Sequence, residues 1–290
     1  MRIGLIIASY GRPGLVRQLL SSVETQERLP DEIVLSVVSE KDSGPSSLSS
    51  LEVNVVYSSP GLCAQRNKGL VFLQDRVDIV LFIDDDFWMS RTYIKELEQI
   101  FLTHEDVVAV TGLVLADGAT TSGISVAEAE RYLEGYELAP APAIEIRDVP
   151  DTYGCNMAFR ASKIRDLKFD ERLPLYGWQE DVDFSAQLRG CGRIIATNLL
   201  CGVHLGTKKG KISGMRFGYS QVINPLYIFR KGNMSLRRAS FLIFKNIVAN
   251  AAKSAFPEEY IDRWGRLKGN MIGLLHAAKG KLDPMYALKL

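Results

Sequence analysis

The chain has no pair of cysteines at metal-binding or redox spacing. Its four cysteines, Cys63, Cys155, Cys191 and Cys201, are scattered, without a CxxC. A disulfide framework and a structural zinc site are therefore not expected, and a reducing compartment is. Charge of one sign is also missing: 35 basic residues face 34 acidic ones, a formal net charge of +1. That balance gives no global electrostatic reason for nucleic-acid binding. Long apolar runs are absent too. The first, "MRIGLIIASYGRP", stops at Tyr10-Gly11-Arg12-Pro13, which is too short for a signal peptide core and reads better as a strand. Another, "FLIFKNIVANAAKSAF", is broken by Lys245, Asn246 and Lys253, so no membrane span is expected. There is no internal repeat and no low-complexity tract.

What is present is an ordinary globular composition, 47% hydrophobic and 24% charged over 290 residues. The first half alternates two periods. Ile3 to Ala8, "DEIVLSVVS", "EVNVVYS", "VDIVLFI" and "DVVAVTGLVL" read as strands. "GLVRQLLSSVETQ", "LCAQRNKGLVFLQD" and "SRTYIKELEQIFLTH" read as helices, the last with Ser90 as its expected N-cap. Such alternation predicts an α/β fold: a mostly parallel sheet with helices on both faces. Residues 116–149 lack periodicity and read as an irregular crossing. From about Gly214 the chain turns helical, basic and amphipathic. The expected division is a catalytic domain over 1–213, with halves meeting near 115, and a helical region over 214–290.

Ligands of open parallel sheets bind beyond the C-terminal ends of the strands. Ser9-Tyr10, Glu40 to Asp42, and Asp84, Asp85 and Asp86 all fall at that edge. Three adjacent carboxylates repel one another unless a cation is near. They read either as a solvated turn or as a site for a divalent cation, which takes oxygen ligands. A second acidic cluster, Glu180-Asp181, follows the aromatic turn Tyr176-Gly177-Trp178 and opens a helix. It reads as a helix N-terminus or as a general base beside an aromatic wall. His204 ends a strand-like run before a Gly-Lys-rich loop, and imidazole suits a metal already held by carboxylates. Arg66 and Asn67 lie mid-helix with Lys68. They form either a solvated face or, through Arg66, a clamp on a diphosphate.

In order, "IIASYGRPGLVRQLLSSVETQ", "PGLCAQRNKGL", "FIDDDF", "YGCNMAFRAS", "GWQEDVDFSAQLRGCG" and a late histidine resemble the inverting family 2 glycosyltransferases of the GT-A fold, over roughly residues 1–207. The resemblance implies a nucleoside diphosphate sugar donor, a saccharide or lipid-linked acceptor, a divalent cation (Mn2+ or Mg2+), and a place in cell-envelope polysaccharide synthesis. Donor-binding residues would be Ala8, Ser9, Tyr10, Arg12, Asp42, Gln65, Arg66, Asn67, Asp84 and Asp85. Asp84 would lie near the ribose, with Asp86 and His204 on the metal. Gly154, Cys155, Asn156, Trp178 and Glu180 would serve the acceptor side, with Asp181 as catalytic base. The pattern departs at the end of the second strand. Many members carry adjacent acids there; this chain has Val37 and Val38, so no nucleotide base is assigned. The expected location is the cytoplasm, and no nucleic acid is expected. The C-terminal region reads either as a helical extension packing its apolar face on the catalytic domain or on a second subunit of a homo-oligomer, or as a basic surface in peripheral contact with the inner membrane face. Two rivals share the frame: a sugar nucleotidyltransferase, for which "SYGRPG" is a poor glycine loop, and a non-catalytic nucleotide-sugar-binding protein, which has no need of Asp181.

Overall fold

A computed structural model describes residues 1–44, 50–139, 143–207 and 213–290; most of the Lys-rich stretch after His204 lies outside these. The chain forms two compact units. One takes in 1–60, 64–168 and 188–210; the other takes in 61–63, 169–187 and 211–290.

The first unit begins with β1 (Ile3–Ser9), α1 (Pro13–Glu24), β2 (Glu32–Val37), α2 (Glu40–Ser43), β3 (Val53–Tyr57), α3 (Leu62–Leu73, whose first two residues fall in the other unit), β4 (Ile79–Asp84), β5 (Phe87–Met89) and α4 (Tyr93–Thr103). It continues with β6 (Val107–Asp117), α5 (Val126–Leu138), β7 (Ile146–Asp148), β8 (Asn156–Arg160) and α6 (Ala161–Ile164). The helix α7 (Glu180–Ala186) belongs to the other unit, and β9 (Arg193–His204) returns to the first. All seven residues of β1 are buried, as a strand covered on both faces requires. α1 starts with Pro13, whose fixed φ suits a first turn, and turns Val16, Leu19, Leu20 and Val23 inward. Gly69 lets α3 lie close on β1, because a Cβ there would stand 2.7 Å from Ile6 Cγ2.

The sheet order is β3-β2-β1-β4-β8-β6-β9-β5, with β7 beside β9. β3, β2, β1 and β4 run parallel, and β8 enters antiparallel between β4 and β6. The parallel register sets Ala8 level with Asp84 and Ser9 level with Val37, so the loops after β1, β2 and β4 open at one edge.

Two sequence expectations change. Residues 116–149 are not irregular throughout. β6 runs on to Asp117, and α5 follows with a capping box in which Ser125 and Glu128 satisfy each other's backbone N–H groups. The helix expected from Ser90 is capped at Thr92 and begins at Tyr93; the Ser90 carbonyl instead accepts from Gln26 and Tyr93.

The second unit adds α8 (Gly214–Arg230), α9 (Leu236–Lys253) and α10 (Arg263–Ala278). α8 and α10 approach closely where side chains are missing. A Cβ on Gly218 would stand 2.0 Å from the Arg266 carbonyl oxygen, and one on Gly269 2.0 Å from that of Met215. Lys231, at the end of α8, pairs with Asp183 of α7 at 2.6 Å and with Asp170 at 2.7 Å. Among the described residues, no helix is long and apolar enough to cross a membrane.

Candidate active site

The sheet topology assembles the acidic site. β5 pairs with β9 so that Phe87 faces His204, which brings the preceding Asp86 beside the imidazole. β6 pairs with β9 on its other side and places Asp117 opposite the same histidine. Asp84, the last residue of β4, completes the group. One ligand atom from each of Asp84, Asp86 and His204 lies within 4.8 Å of the other two. The resemblance put Asp84 at the ribose; its geometry also fits the metal set.

The three aspartates have separate partners. Asp84 Oδ1 accepts from Arg66 Nη2 at 2.9 Å, and its backbone N–H donates to the Cys155 carbonyl at 3.1 Å. Asp85 is fully buried. Ser9 Oγ donates to its Oδ2 at 2.6 Å, while Arg12 Nη2 stands 2.9 Å from Oδ1 outside hydrogen-bond geometry, an attraction of charge. Burial raises the Asp85 carboxyl to about 7, against the pull of Arg12. Asp86 Oδ2 accepts from the Thr207 N–H at 2.8 Å, and Arg12 Nη1 lies 3.5 Å from it. Burial opposes the Asp86 charge, but His204, Arg12 and Thr207 outweigh it and lower its pKa. Burial also works against Arg12, yet Asp85, Asp86 and Asp84 hold its pKa above the ordinary value.

Behind His204 stands Asp117, which sequence reasoning missed. Its Oδ1 lies 2.9 Å from His204 Nδ1 and accepts from the Ala119 N–H at 2.9 Å; its Oδ2 accepts from the Tyr153 hydroxyl at 2.7 Å. These donors bring Asp117 down to about 2, although burial opposes them. With Nδ1 engaged, Nε2 faces Asp86 Oδ1 at 3.4 Å. Burial alone would lower the His204 pKa; Asp117, Asp86 and Asp84 raise it to about 10. A proton on Nε2 thus occupies the place between imidazole and carboxylates that a cation would take. The donor set, two carboxylates and an imidazole oriented by a carboxylate behind it, fits a divalent transition-metal ion.

Other sequence candidates fall into place differently. Tyr10 is 59% exposed at the rim, and Ala8 is buried beneath it. Gln65 donates to the carbonyls of Ser9 and Ser36, tying the ends of β1 and β2. Asp42 accepts from the Gly11 N–H with one oxygen and from Ser39 with the other, so both are engaged in shaping the loop. Arg66 neither forms a solvated face nor reaches outward. It is 2% exposed and donates to Asp84 and the Gly154 carbonyl. Asn67 lines a cavity of about 630 Å³ with Leu70, Asp78 and Arg160. Cys155 and Asn156 are buried, and Asn156 Oδ1 accepts from the Gly112 N–H at 2.5 Å. The Gly154 and Cys155 carbonyls thus meet the site through Arg66 and the Asp84 backbone N–H.

In the second unit, the turn before α7 is strained. Leu175 and Gln179 have φ of 64° and 74°, a conformation uncommon for side-chain-bearing residues, and Gly177 has 65°. The turn is held by Asn224, which donates to the Trp178 carbonyl at 2.9 Å, and Trp178 packs edge-on to Phe217. Glu180 is buried, whereas Asp181 is partly exposed, with Oδ1 accepting from the Val182 N–H.

The family profile described as glycosyl transferase family 2 matches residues 5–168, more than half of the chain. The chain belongs to that family. No curated protein sequence gives a match. Among solved structures, the mannosyltransferase PcManGT of Pyrobaculum calidifontis, in complex with GDP-Man and Mn2+, is 17% identical. The match covers 99% of this chain and 85% of PcManGT, with a TM-score of 0.54. GalNAc-T7, with UDP, GalNAc and Mn2+, is 12% identical over 100% of this chain and 56% of that one, with a TM-score of 0.53. TarS of S. aureus is 17% identical, at a TM-score of 0.50; 77% of this chain is covered, but it spans only 40% of TarS. At these identities the likeness is one of fold.

Proposed function

We propose that the chain is a metal-dependent inverting glycosyltransferase, moving a sugar from a nucleoside diphosphate sugar to a hydroxyl of a saccharide or lipid-linked acceptor. The observation that carries this reading is the convergence of Asp84, Asp86 and His204 at the loop edge of the parallel strands, with Asp117 orienting the histidine. Those three residues would hold Mn2+ or Mg2+. Bound there, the ion supplies a Lewis acid that offsets charge on the leaving diphosphate. Arg12, one quarter exposed over Asp85 and Asp86, adds a fixed positive charge on the donor side. Ser9 and Tyr10 shape the donor rim, and Gln65 and Asp42 fix the loops that present it.

Asp181 takes the proton from the acceptor hydroxyl while the hydroxyl oxygen attacks the anomeric carbon. The bond to the diphosphate breaks, its electron pair leaves on the phosphate oxygen, and attack from the opposite face inverts the centre. Trp178 offers the acceptor a flat apolar surface. One base suffices, unlike the two carboxylates of a glycosidase. In this reading residues 1–213 carry the chemistry and 214–290 form the helical extension. The test is a panel of nucleotide sugars with Mn2+, scored by released nucleoside diphosphate. Release should stop with EDTA and in Asp86→Ala. Release indifferent to both would overturn the metal-dependent reading.

A further inference from the structure

Two of the C-terminal helices, α9 and α10, bury polar side chains while leaving large apolar ones exposed. The buried positions of α9 are Ala239 and Asn250; those of α10 are Arg263, Gly269, Asn270 and Gly273. These polar groups satisfy one another. Asn250 donates to Gln221 at 2.9 Å and to Asn270 at 2.8 Å, and it accepts from Arg263 at 3.1 Å. The outward face of α9 instead shows Phe241, Phe244 and Val248, spaced three and four apart, at 61%, 68% and 47% exposure. Phe256, just past the helix, is 89% exposed. A helix facing water turns its apolar stripe inward. Contiguous apolar exposure of this kind marks a contact surface.

Charge decides which contact. No Asp or Glu stands between Asp183 and Glu258, while twelve Lys and Arg do. Lys253 is paired with Glu258 at 2.6 Å, but among the described residues no carboxylate pairs with Arg237 or Lys245. On a helical wheel Arg237 falls on the line of Phe241 and Phe244, and Lys245 flanks it. A second copy seated symmetrically on this face would bring like charges together. A bilayer with anionic head groups meets both needs: acyl chains for the aromatic side chains and phosphates for the cations.

We propose that the outer face of α9 is a docking surface for an anionic phospholipid bilayer. The helix lies in the interface, with Phe241, Phe244 and Val248 among the acyl chains and Arg237 and Lys245 on lipid phosphates. The binding is peripheral and reversible, and it does not depend on the transfer reaction proposed above.

The full chain should sediment at low salt with phosphatidylglycerol vesicles but not with phosphatidylcholine vesicles, and high salt should release it. At about fivefold per cation, the double variant Arg237→Gln with Lys245→Gln should lower the partition about 25-fold. Phe241→Ala with Phe244→Ala should lower it at least about tenfold. Because all four side chains are exposed, circular dichroism should show the fold retained. Failure to sediment with phosphatidylglycerol, or a Gln variant that partitions like the parent, overturns the proposal. So does a solution dimer dispersed by the Phe variant, which would assign the face to a second copy.

Discussion

Arg66→Met separates a buried structural tie from a donor clamp. The guanidinium is 2% exposed and its Nη2 donates to two acceptors, Asp84 Oδ1 at 2.9 Å and the Gly154 carbonyl at 2.7 Å. Met keeps much of the stem's volume against Phe82, whose ring centre lies 5.8 Å from the guanidinium carbon. What is lost is the charge, with the hydrogen bonds to Asp84 and the Gly154 carbonyl. Removing one partner of a buried ion pair costs about 3–5 kcal/mol. Asp84 is 28% exposed and regains some water, which lowers the figure; losing this donor to the Gly154 carbonyl raises it. The expected destabilisation is about 2–4 kcal/mol. Urea unfolding at a common slope measures it. Nucleoside diphosphate binding in Mn2+, tried with both UDP and GDP, is measured in parallel. Stability within about 0.5 kcal/mol of the parent, the size expected of an ordinary surface change, together with lost nucleotide binding, would refute the structural reading. Arg66 would then reach the donor.

Asp181→Asn should leave nucleotide binding nearly intact and slow transfer by about 10²–10⁴-fold; collapsed affinity with unchanged turnover would make Asp181 a donor residue instead. His204 is raised from an ordinary 6.5 to about 10, so its pairing adds stability that is full below about 6.5 and lost as pH climbs through about 10. The metal-free protein in EDTA should lose thermal stability across that window, and a flat profile would contradict the pairing. Cation binding near neutral pH should release about one proton, read by calorimetry in buffers of different ionisation heat. Gly269→Ala should cost about 1–3 kcal/mol, because the new Cβ meets the backbone of Met215 and Tyr219; an unchanged urea midpoint would mean that the two helices part freely.

Legibility in the sequence followed periodicity. The buried strands show as apolar runs, and the acids at their ends show as breaks in those runs, so Asp84 to Asp86 and His204 stand out. Asp117 does not, because only the pairing of β6 with β9 brings it to a histidine 87 residues away. Arg66 misleads for a related reason. Charged mid-helix residues are usually solvated, yet Arg66 is buried between Gln65 and Asn67, also buried; Gln65 donates to carbonyls of β1 and β2, and Arg66 to the Gly154 carbonyl in the turn before β8. In 116–149, α5 buries only Ala129 and Leu133, too few for a helical stripe, although the Ser125–Glu128 capping box was there to be read. The C-terminal helices were visible as helices but not in their polarity. Burial of Asn250, Asn270 and Arg263 depends on their hydrogen bonding across helices, which hydropathy along one helix cannot register.

The adjacency of three aspartates has a local electrostatic account. Asp84, Asp85, Asp86 and Asp117 bring up to four negative charges, while Arg12, Arg66 and protonated His204 bring three positive ones. Asp85, raised to about 7, is partly neutral near that pH and brings the balance closer to zero. The cluster can therefore form without metal. A divalent ion that displaces the His204 proton changes the local charge by one unit rather than two. Nor do the three carboxylates serve alike. Asp85 is buried against Ser9 and Arg12 and braces the loop after β1, leaving Asp84 and Asp86 on either side of it to face His204. In the spacing of acid, buried acid, acid, the middle residue anchors the loop and the outer two are left where a cation could be held.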